Sequence, residues 1–233
     1  MVDIRRNVEN VKARIEAASR RSGLDPAGIS LVAVTKNVGT SLIRQAIEAG
    51  VRLIGENRVQ EAYPKIKEIG PEAEWHMIGH LQTNKVGRAL EVFDVIQSLD
   101  SERLAGVINE RAGKLGKVVR VMVEVKVSPE ETKFGFAPDA VLPFLEQASR
   151  YGNLEIVGLM AMAPYFDDPE EARPYFRKAR EIFSRALELE VPNVMMQYLS
   201  MGMSDDFEVA ISEGSNMVRI GRAIFSPGRV DRG

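Results

Sequence analysis

The sequence predicts an α/β protein built as a (β/α)8 TIM barrel, with an extra amino-terminal helix and a single domain over residues 1–233. Eight short apolar segments recur along the chain, and helical patterns separate them. The apolar segments lack period-two alternation, as is typical of parallel strands covered on both faces. Eight strand–helix units suffice to close a barrel. An open doubly wound sheet is the alternative, but no G-x-G-x-x-G fingerprint follows the first strand.

The individual elements follow from apolar spacing and turn residues. An amino-terminal helix is predicted from one apolar stripe, and further helices are expected between Thr40 and Gly50 and over 169–190. Short apolar runs bounded by turn residues predict the strands. These are 31–36, 52–57, 74–80, 95–98, 118–127, 155–163, 195–200 and 217–225, and the helical stripe is Ile4, Val8, Val11, Ile15 and Ala18.

Composition excludes several classes of protein. The formal net charge of −2 favours neither nucleic acid nor an anionic membrane surface as a partner. A charged start at 3–6 does not resemble a signal peptide, and no apolar run approaches the roughly 20 residues of a membrane span. We therefore expect a cytoplasmic protein. The chain has no cysteine and only two histidines, His76 and His80, so no metal site is expected.

Polar residues gather where the predicted strands end. In a barrel all the carboxyl ends of the strands share one rim, where ligands bind. Lys36 closes the first strand, and Asn57 follows the second. An apolar strand would partly dehydrate Lys36 and disfavour its charged form. A neutral lysine is a nucleophile that forms Schiff bases with carbonyls such as that of pyridoxal phosphate (PLP). A solvated or ion-paired lysine is the alternative.

The loops after the last two strands suggest an anion site. In such barrels these loops often bind phosphate, and Ser200, Ser204 and Gly221 would let hydroxyl and amide groups approach it. Alternatively, Ser204 only caps a helix that begins near Asp205. Arg219 lies within an apolar strand and needs a partner. The alternative to a ligand role for Arg219 is an internal ion pair, with Glu56 or Glu213 as its carboxylate.

Six segments carry a resemblance to a known family. In this order, and over essentially the whole chain, they resemble the pyridoxal phosphate homeostasis proteins (YggS/PROSC-like), whose barrel is similar to the amino-terminal domain of alanine racemase. The segments are 31–36 (LVAVTK), 55–61 (GENRVQE), 75–85 (WHMIGHLQTNK), 159–163 (LMAMA), 199–206 (LSMGMSDD) and 218–225 (VRIGRAIF).

The resemblance implies a barrel of PLP fold type III with pyridoxal 5'-phosphate as cofactor. Lys36 matches the lysine of the internal aldimine, and Arg219 matches the arginine that faces the pyridine nitrogen. Ser200, Ser204 and Gly221 match positions around the phosphate, and Asn57 lies on the rim near the ring. Arg222 stands where the family pattern has a small hydroxyl residue. Its charge is expected either to disturb the phosphate contacts or to form an ion pair.

The implied function is PLP homeostasis with little or no turnover, with PLP-dependent apoenzymes as acceptors. The alternative is an amino-acid racemase-like PLP enzyme, which needs a second acid/base group. In racemases a further β domain supplies that group. The chain ends at Gly233, so we expect this domain to be missing and the protein to be a monomer. Within the barrel, Tyr63, Tyr165, His80 and Lys133 are the substitutes. A sugar-phosphate barrel with Lys36 as an aldolase-type lysine is a third reading.

Overall fold

The computed structural model describes residues 2–128, 130 and 134–226. Eight parallel strands follow one another around a closed barrel, and β1 pairs with both β2 and β8. The predicted architecture is therefore confirmed. The strands are β1 Ser30–Val34, β2 Leu53–Glu56, β3 Glu74–Met77, β4 Val95–Leu99, β5 Val119–Val125, β6 Leu154–Ala161, β7 Val194–Ser200 and β8 Met217–Ile220.

Helices surround the barrel, and five short 3-10 turns lie among them in the described part of the chain. The helices are α1 Ile4–Arg21, α2 Thr40–Glu48, α3 Val59–Ile69, α4 Val86–Val92, α5 Glu102–Lys114, α6 Val141–Glu146, α7 Arg173–Ala186, α8 Phe207–Ser212 and α9 Arg222–Phe225. The 3-10 turns are Pro26–Gly28, Gly70–Glu72, Thr83–Lys85, Ala148–Arg150 and Pro169–Ala172. Among the helices of the described ranges, none is long and apolar enough to cross a membrane.

Helix α1 is where the sequence placed it, and its predicted apolar stripe is buried. Asp3 caps it by accepting a hydrogen bond from the Arg6 amide at 3.0 Å. The helix packs against α8, α9 and α2. Because α9, which follows β8, has only four residues, α1 fills the place that a full helix after β8 would take. The amino-terminal segment thus completes the ring of helices.

Several predicted strands are too long at their carboxyl ends. β1 ends at Val34 instead of Lys36, and β3 ends at Met77, so His80 lies beyond the strand that carries His76. β8 was predicted over 217–225 but ends at Ile220. Pairing with β1 stops there, and Gly221 leads into α9, whose Ile224 is buried. The run is apolar through Phe225, so apolar content alone could not separate the strand from the helix.

The interior of the barrel has an apolar layer and a polar layer. A compact apolar cluster with members from most strands fills one part of it, as is usual for small barrels. This cluster consists of Val32, Val95, Met122, Val157, Met160 and Met217. Buried polar side chains from β3, β4, β5, β7 and β8 occupy the other part: His76, Gln97, Glu124, Ser200 and Arg219. The candidate site lies at the end of the polar layer that contains Arg219.

Candidate functional site

A cavity of about 220 Å³ lies at the carboxyl ends of β1, β7 and β8. The structure brings four of the predicted site residues to its wall: Lys36, Ser204, Arg219 and Gly221. Residues far apart in the sequence thus share one site because the barrel closes between β1 and β8. Apolar side chains cover much of the remaining wall, among them Val34, Tyr165, Phe166 and Met203, and the charged residues Asp205, Asp206 and Arg222 also line it.

Lys36 lies in a tight turn just beyond β1. The Val38 amide donates to the Thr35 carbonyl at 3.0 Å, and Asn37 has a φ of 60°. This is the hydrogen-bonded four-residue turn with positive φ at its third residue. The Lys36 side chain is exposed. The expected dehydration by the strand is therefore wrong, since β1 ends two residues earlier.

The start of this turn is fixed by a buried ion pair. Glu56 is fully buried, and its Oε1 accepts hydrogen bonds from Lys65 Nζ and Thr35 Oγ1, both at 2.7 Å. Lys65 also donates to the Thr35 carbonyl at 2.8 Å. A buried ion pair tolerates little displacement, because either partner alone would be an uncompensated charge. Thr35 is thus held from two sides directly before Lys36.

Ser204 connects the loop after β7 to the segment after β8 at the cavity. Its Oγ accepts a hydrogen bond from the Ala223 amide at 3.3 Å. The prediction that Ser204 caps a helix near Asp205 is wrong, because α8 begins at Phe207 and Asp206 precedes it. Asp206 instead accepts from the Met203 amide at 2.6 Å. Arg222 forms an ion pair with Asp205, which confirms the second of the two expectations for this arginine and neutralises one carboxylate beside the cavity.

The cavity wall offers donors for an anion. Within the described ranges, the amides of Ser204, Gly221 and Arg222 donate no hydrogen bond. All three residues line the cavity, and Ser204 adds a hydroxyl. Unpaired amides and a hydroxyl on adjoining loops are groups that bind phosphate oxygens in proteins. The donor set therefore fits a phosphate group.

Arg219 is buried beside these donors. Its Nη1 donates to Ser200 Oγ at 2.6 Å, and its Nη2 donates to the Ala161 carbonyl at 2.9 Å. Both ion-pair alternatives are wrong, because Glu56 pairs with Lys65 and Glu213 with Arg173. Burial lowers the pKa of Arg219 to about 10, although Glu124 and Asp206 oppose this. The guanidinium thus stays charged at neutral pH.

The other two predicted residues occupy different places. Ser200 is fully buried beneath Arg219, and its Oγ donates to Gln97 Oε1 at 2.7 Å. It supports the arginine from within the barrel. Asn57 lines a neighbouring cavity of about 590 Å³, together with His80 and Gln82. Lys133, the loop lysine named with the acid/base candidates, lies outside the described residues.

Sequence reasoning missed a buried acid inside the barrel. Glu124 lies on β5 and is 4% exposed. Burial, with a smaller effect of the Asp100 charge, raises its pKa to about 7, and Arg219 opposes this rise. The signal was available, since Glu124 interrupts the apolar run 121–125 as Arg219 interrupts 217–220. A carboxyl with a pKa near neutrality can exchange protons at physiological pH.

Comparison with known proteins places the chain in a family. The family model for the alanine racemase N-terminal domain matches residues 4–227. A pyridoxal phosphate homeostasis protein of Aquifex aeolicus is 42% identical over 221 residues, which cover 94% of this chain and 95% of that protein. Its Escherichia coli K12 counterpart is 38% identical, over 97% of each chain.

Solved structures agree with this assignment. A crystal structure of an unknown protein from Bifidobacterium adolescentis has a TM-score of 0.91 and 36% identity, over 95% of this chain and 94% of that one. PipY of Synechococcus elongatus, with PLP bound, has a TM-score of 0.79 and 38% identity, over 92% and 99%. Alanine racemase of Clostridium difficile shares the fold alone, with 15% identity and a TM-score of 0.72 over 97% and 58%.

The fold and the sequence therefore define a barrel of the alanine racemase N-terminal type. The chain belongs to this family and, within it, to the pyridoxal phosphate homeostasis proteins.

Proposed function

We propose that the chain binds pyridoxal 5'-phosphate and holds it on Lys36 as an internal aldimine. The observation that carries the proposal is the single cavity that combines an exposed lysine amine with anion donors and a buried arginine. A lysine Nζ supplies the covalent attachment. PLP binding by PipY, a relative at 38% identity, supports the choice of cofactor.

The phosphate and the ring would have separate partners. Ser204 and the unpaired amides of Gly221 and Arg222 would receive the phosphate, while Arg219 would face the ring nitrogen. When bound, PLP acts as an electron sink for bonds to an amino-acid Cα. A fixed positive charge disfavours a proton on the ring nitrogen. Arg219 would thereby weaken this sink and restrain turnover.

The role in the cell would be the one named for the relatives, PLP homeostasis. We propose that the protein keeps PLP reversibly bound and releases it to PLP-dependent apoenzymes in the cytoplasm, as a monomer. Size-exclusion chromatography with light scattering tests the oligomeric state. Mixing holoprotein with an apoenzyme and following its recovered activity tests the transfer.

Racemase-type proton exchange is the second candidate, and Glu124 is the observation that favours it. Its carboxyl has a pKa of about 7 and lies in the field of Arg219. Tyr165, one of the acid/base candidates predicted from the sequence, also lines the cavity. Deuterium exchange at the Cα of alanine, measured with stoichiometric holoprotein in D2O, separates the two functions. Many turnovers that Glu124→Gln abolishes would establish the enzyme.

Borohydride reduction followed by peptide mapping tests the proposed attachment. The expected result is a phosphopyridoxyl group on the peptide that contains Lys36, together with visible absorbance before reduction. Lys36→Ala should lose both while the far-UV circular dichroism stays unchanged. Lys178→Ala, at an exposed position on α7, is the matched control and should keep both. Wild-type protein that gains no absorbance with added PLP would overturn the proposal.

A further inference from the structure

A chain of hydrogen bonds runs through the barrel interior from Arg219 to the opposite rim. Arg219 Nη1 contacts Ser200 Oγ at 2.6 Å, and Ser200 Oγ contacts Gln97 Oε1 at 2.7 Å. Gln97 Nε2 contacts His76 Nδ1 at 2.7 Å, and His76 Nε2 contacts Glu74 Oε1 at 3.0 Å. Ser200, Gln97, His76 and Arg219 are all at most 3% exposed.

The arginine fixes the direction of every bond in this chain. A guanidinium can only donate, so Ser200 Oγ accepts a hydrogen bond from Arg219 and donates its own hydroxyl hydrogen bond to Gln97 Oε1. The amide nitrogen of Gln97 therefore points to His76, and because it too can only donate, His76 Nδ1 must be unprotonated. The remaining proton of the imidazole lies on Nε2 and is donated to Glu74.

Two further contacts support this direction. Gln97 Nε2 also donates to Met217 Sδ at 3.3 Å, so both hydrogens of the amide have acceptors. The reversed amide would place its carbonyl oxygen against the sulfur. At the far end, Glu74 has a lowered pKa, chiefly because of its hydrogen bond with His76. Arg120 lies 3.3 Å from the same oxygen, so the chain ends on a carboxylate that accepts.

We propose that Ser200, Gln97 and His76 are positioning residues that hold the Arg219 guanidinium against the ring nitrogen of PLP. The inference rests on the proposed function. The four side chains come from β3, β4, β7 and β8, so the orientation of Arg219 depends on strands from both halves of the sequence. Since every hydrogen bond in the chain has a fixed direction, removal of the Gln97 amide should let the Arg219 guanidinium change its orientation without removing its charge.

The first test reads the histidine without any cofactor. In 15N NMR of the protein without PLP, His76 should show Nδ1 unprotonated and Nε2 protonated. His80→Gln removes the only other imidazole and assigns the signals. Gln97→Leu should lose this fixed tautomer. In Gln97→Glu both nitrogens of His76 should carry a proton, because a carboxylate oxygen in place of the amide nitrogen would accept a hydrogen bond from Nδ1. A wild-type Nδ1 that carries a proton would overturn the inference.

The second test reads the cofactor. Protein loaded with ring-15N PLP should show an unprotonated ring nitrogen in the wild type. Its resonance should shift toward the protonated value in Gln97→Leu and Ser200→Ala, although Arg219 is still present. Ser98→Ala is the matched control on the same strand, because Ser98 Oγ is buried and has no partner among the described residues. It should leave the resonance unchanged.

The outcomes separate the two claims. Wild-type protein that binds no PLP defeats the proposed function and, with it, the role of this chain. Wild-type protein that binds PLP, with the same ring-nitrogen resonance in Gln97→Leu and Ser200→Ala, overturns the positioning role alone. If Gln97→Leu fails to fold, Ser200→Ala alone decides the second test, because it removes the hydroxyl that accepts from Arg219.

Discussion

Lys36 owes its position to its two neighbours in the turn. Thr35 is held by the Glu56–Lys65 pair, and Asn37 adopts a φ of 60°. Asparagine accepts this left-handed conformation better than other residues that have a Cβ. The Lys36 amine is thus presented from a turn that is fixed on both sides, while the lysine side chain itself remains exposed.

We predict that Asn37→Val lowers the free energy of unfolding by about 1–2 kcal/mol, because a β-branched residue is strained at positive φ. Urea unfolding at equilibrium measures the change. Asn37→Gly is the control and should stay close to the wild type, since glycine accepts the same φ. Equal stability of the valine variant would contradict the turn described for residues 35–38.

Glu124 makes stability depend on pH. Its pKa rises from an ordinary 4.5 to about 7, so between these values the folded state binds more protons than the unfolded state. Stability therefore falls as pH rises from 4.5 to 7, by up to about 3 kcal/mol. In Glu124→Gln this fall should disappear. Unfolding free energies at pH 5 and pH 8 measure it, and parallel curves for both proteins would refute it.

At the scale of elements, the loops after β7 and β8 form one unit. The Ala223 amide donates to Ser204 Oγ, Arg222 pairs with Asp205, and the Arg219 amide donates to the Gly202 carbonyl at 3.0 Å. The Arg222–Asp205 pair is exposed, and such pairs contribute at most about 1 kcal/mol. The backbone contacts therefore hold the cavity together more than the ion pair does.

Gly202, in the loop after β7, is a position where no other residue fits without strain. It has a φ of 93°, and a Cβ there would lie 2.8 Å from Phe207 Cα and 2.6 Å from Ala210 Cβ. We predict that Gly202→Ala costs about 2–4 kcal/mol from positive φ and overpacking together. Thermal unfolding measures the loss, and PLP titration should show weaker binding. Gly28→Ala, which meets nothing within 4 Å, should change neither.

The sequence predicted the strands and helices more accurately than the residues at which they end. It predicted the residues that line the cavity better than the buried residues that contact them inside the barrel. Lys36, Ser204 and Gly221 were found because each lies beyond a strand end, and Arg219 was found because its charge interrupts an apolar strand. Glu124 and Gln97 were missed because their importance comes from contacts across the barrel. The contact between Gln97 and Ser200 joins residues 103 positions apart, and no local pattern encodes it.

At the scale of the whole molecule, α1 acts as the eighth helix of the ring. It buries Ile4, Val8, Val11, Ile15 and Ala18 and packs against α2, α8 and α9, and Asn7 Nδ2 donates to the Ile224 carbonyl of α9 at 2.8 Å. Alternation of strands and helices predicted the barrel and an extra helix. It could not show where that helix packs, because its partners lie at the other end of the fold.

We predict that Val8→Ala lowers the free energy of unfolding of the whole protein by about 2 kcal/mol, since Val8 is fully buried. Calorimetry should show one transition at a lower temperature, because α1 is part of the single helix ring. Glu9→Ala, at the next and exposed position, is the control and should unfold like the wild type. A separate early transition in Val8→Ala would contradict this role.

The place of α1 also sets a constraint on how the protein is made. Asn7 and Ile224 touch across 217 positions of sequence. When α1 leaves the ribosome, neither α8 nor α9 has been synthesised, so its apolar stripe lacks two of its three helical partners for nearly the whole of translation. Contacts of such long range slow folding and expose apolar surface meanwhile. The barrel can close only after synthesis has passed β8, and until then the first helix of the chain is a surface that chaperones would be expected to cover.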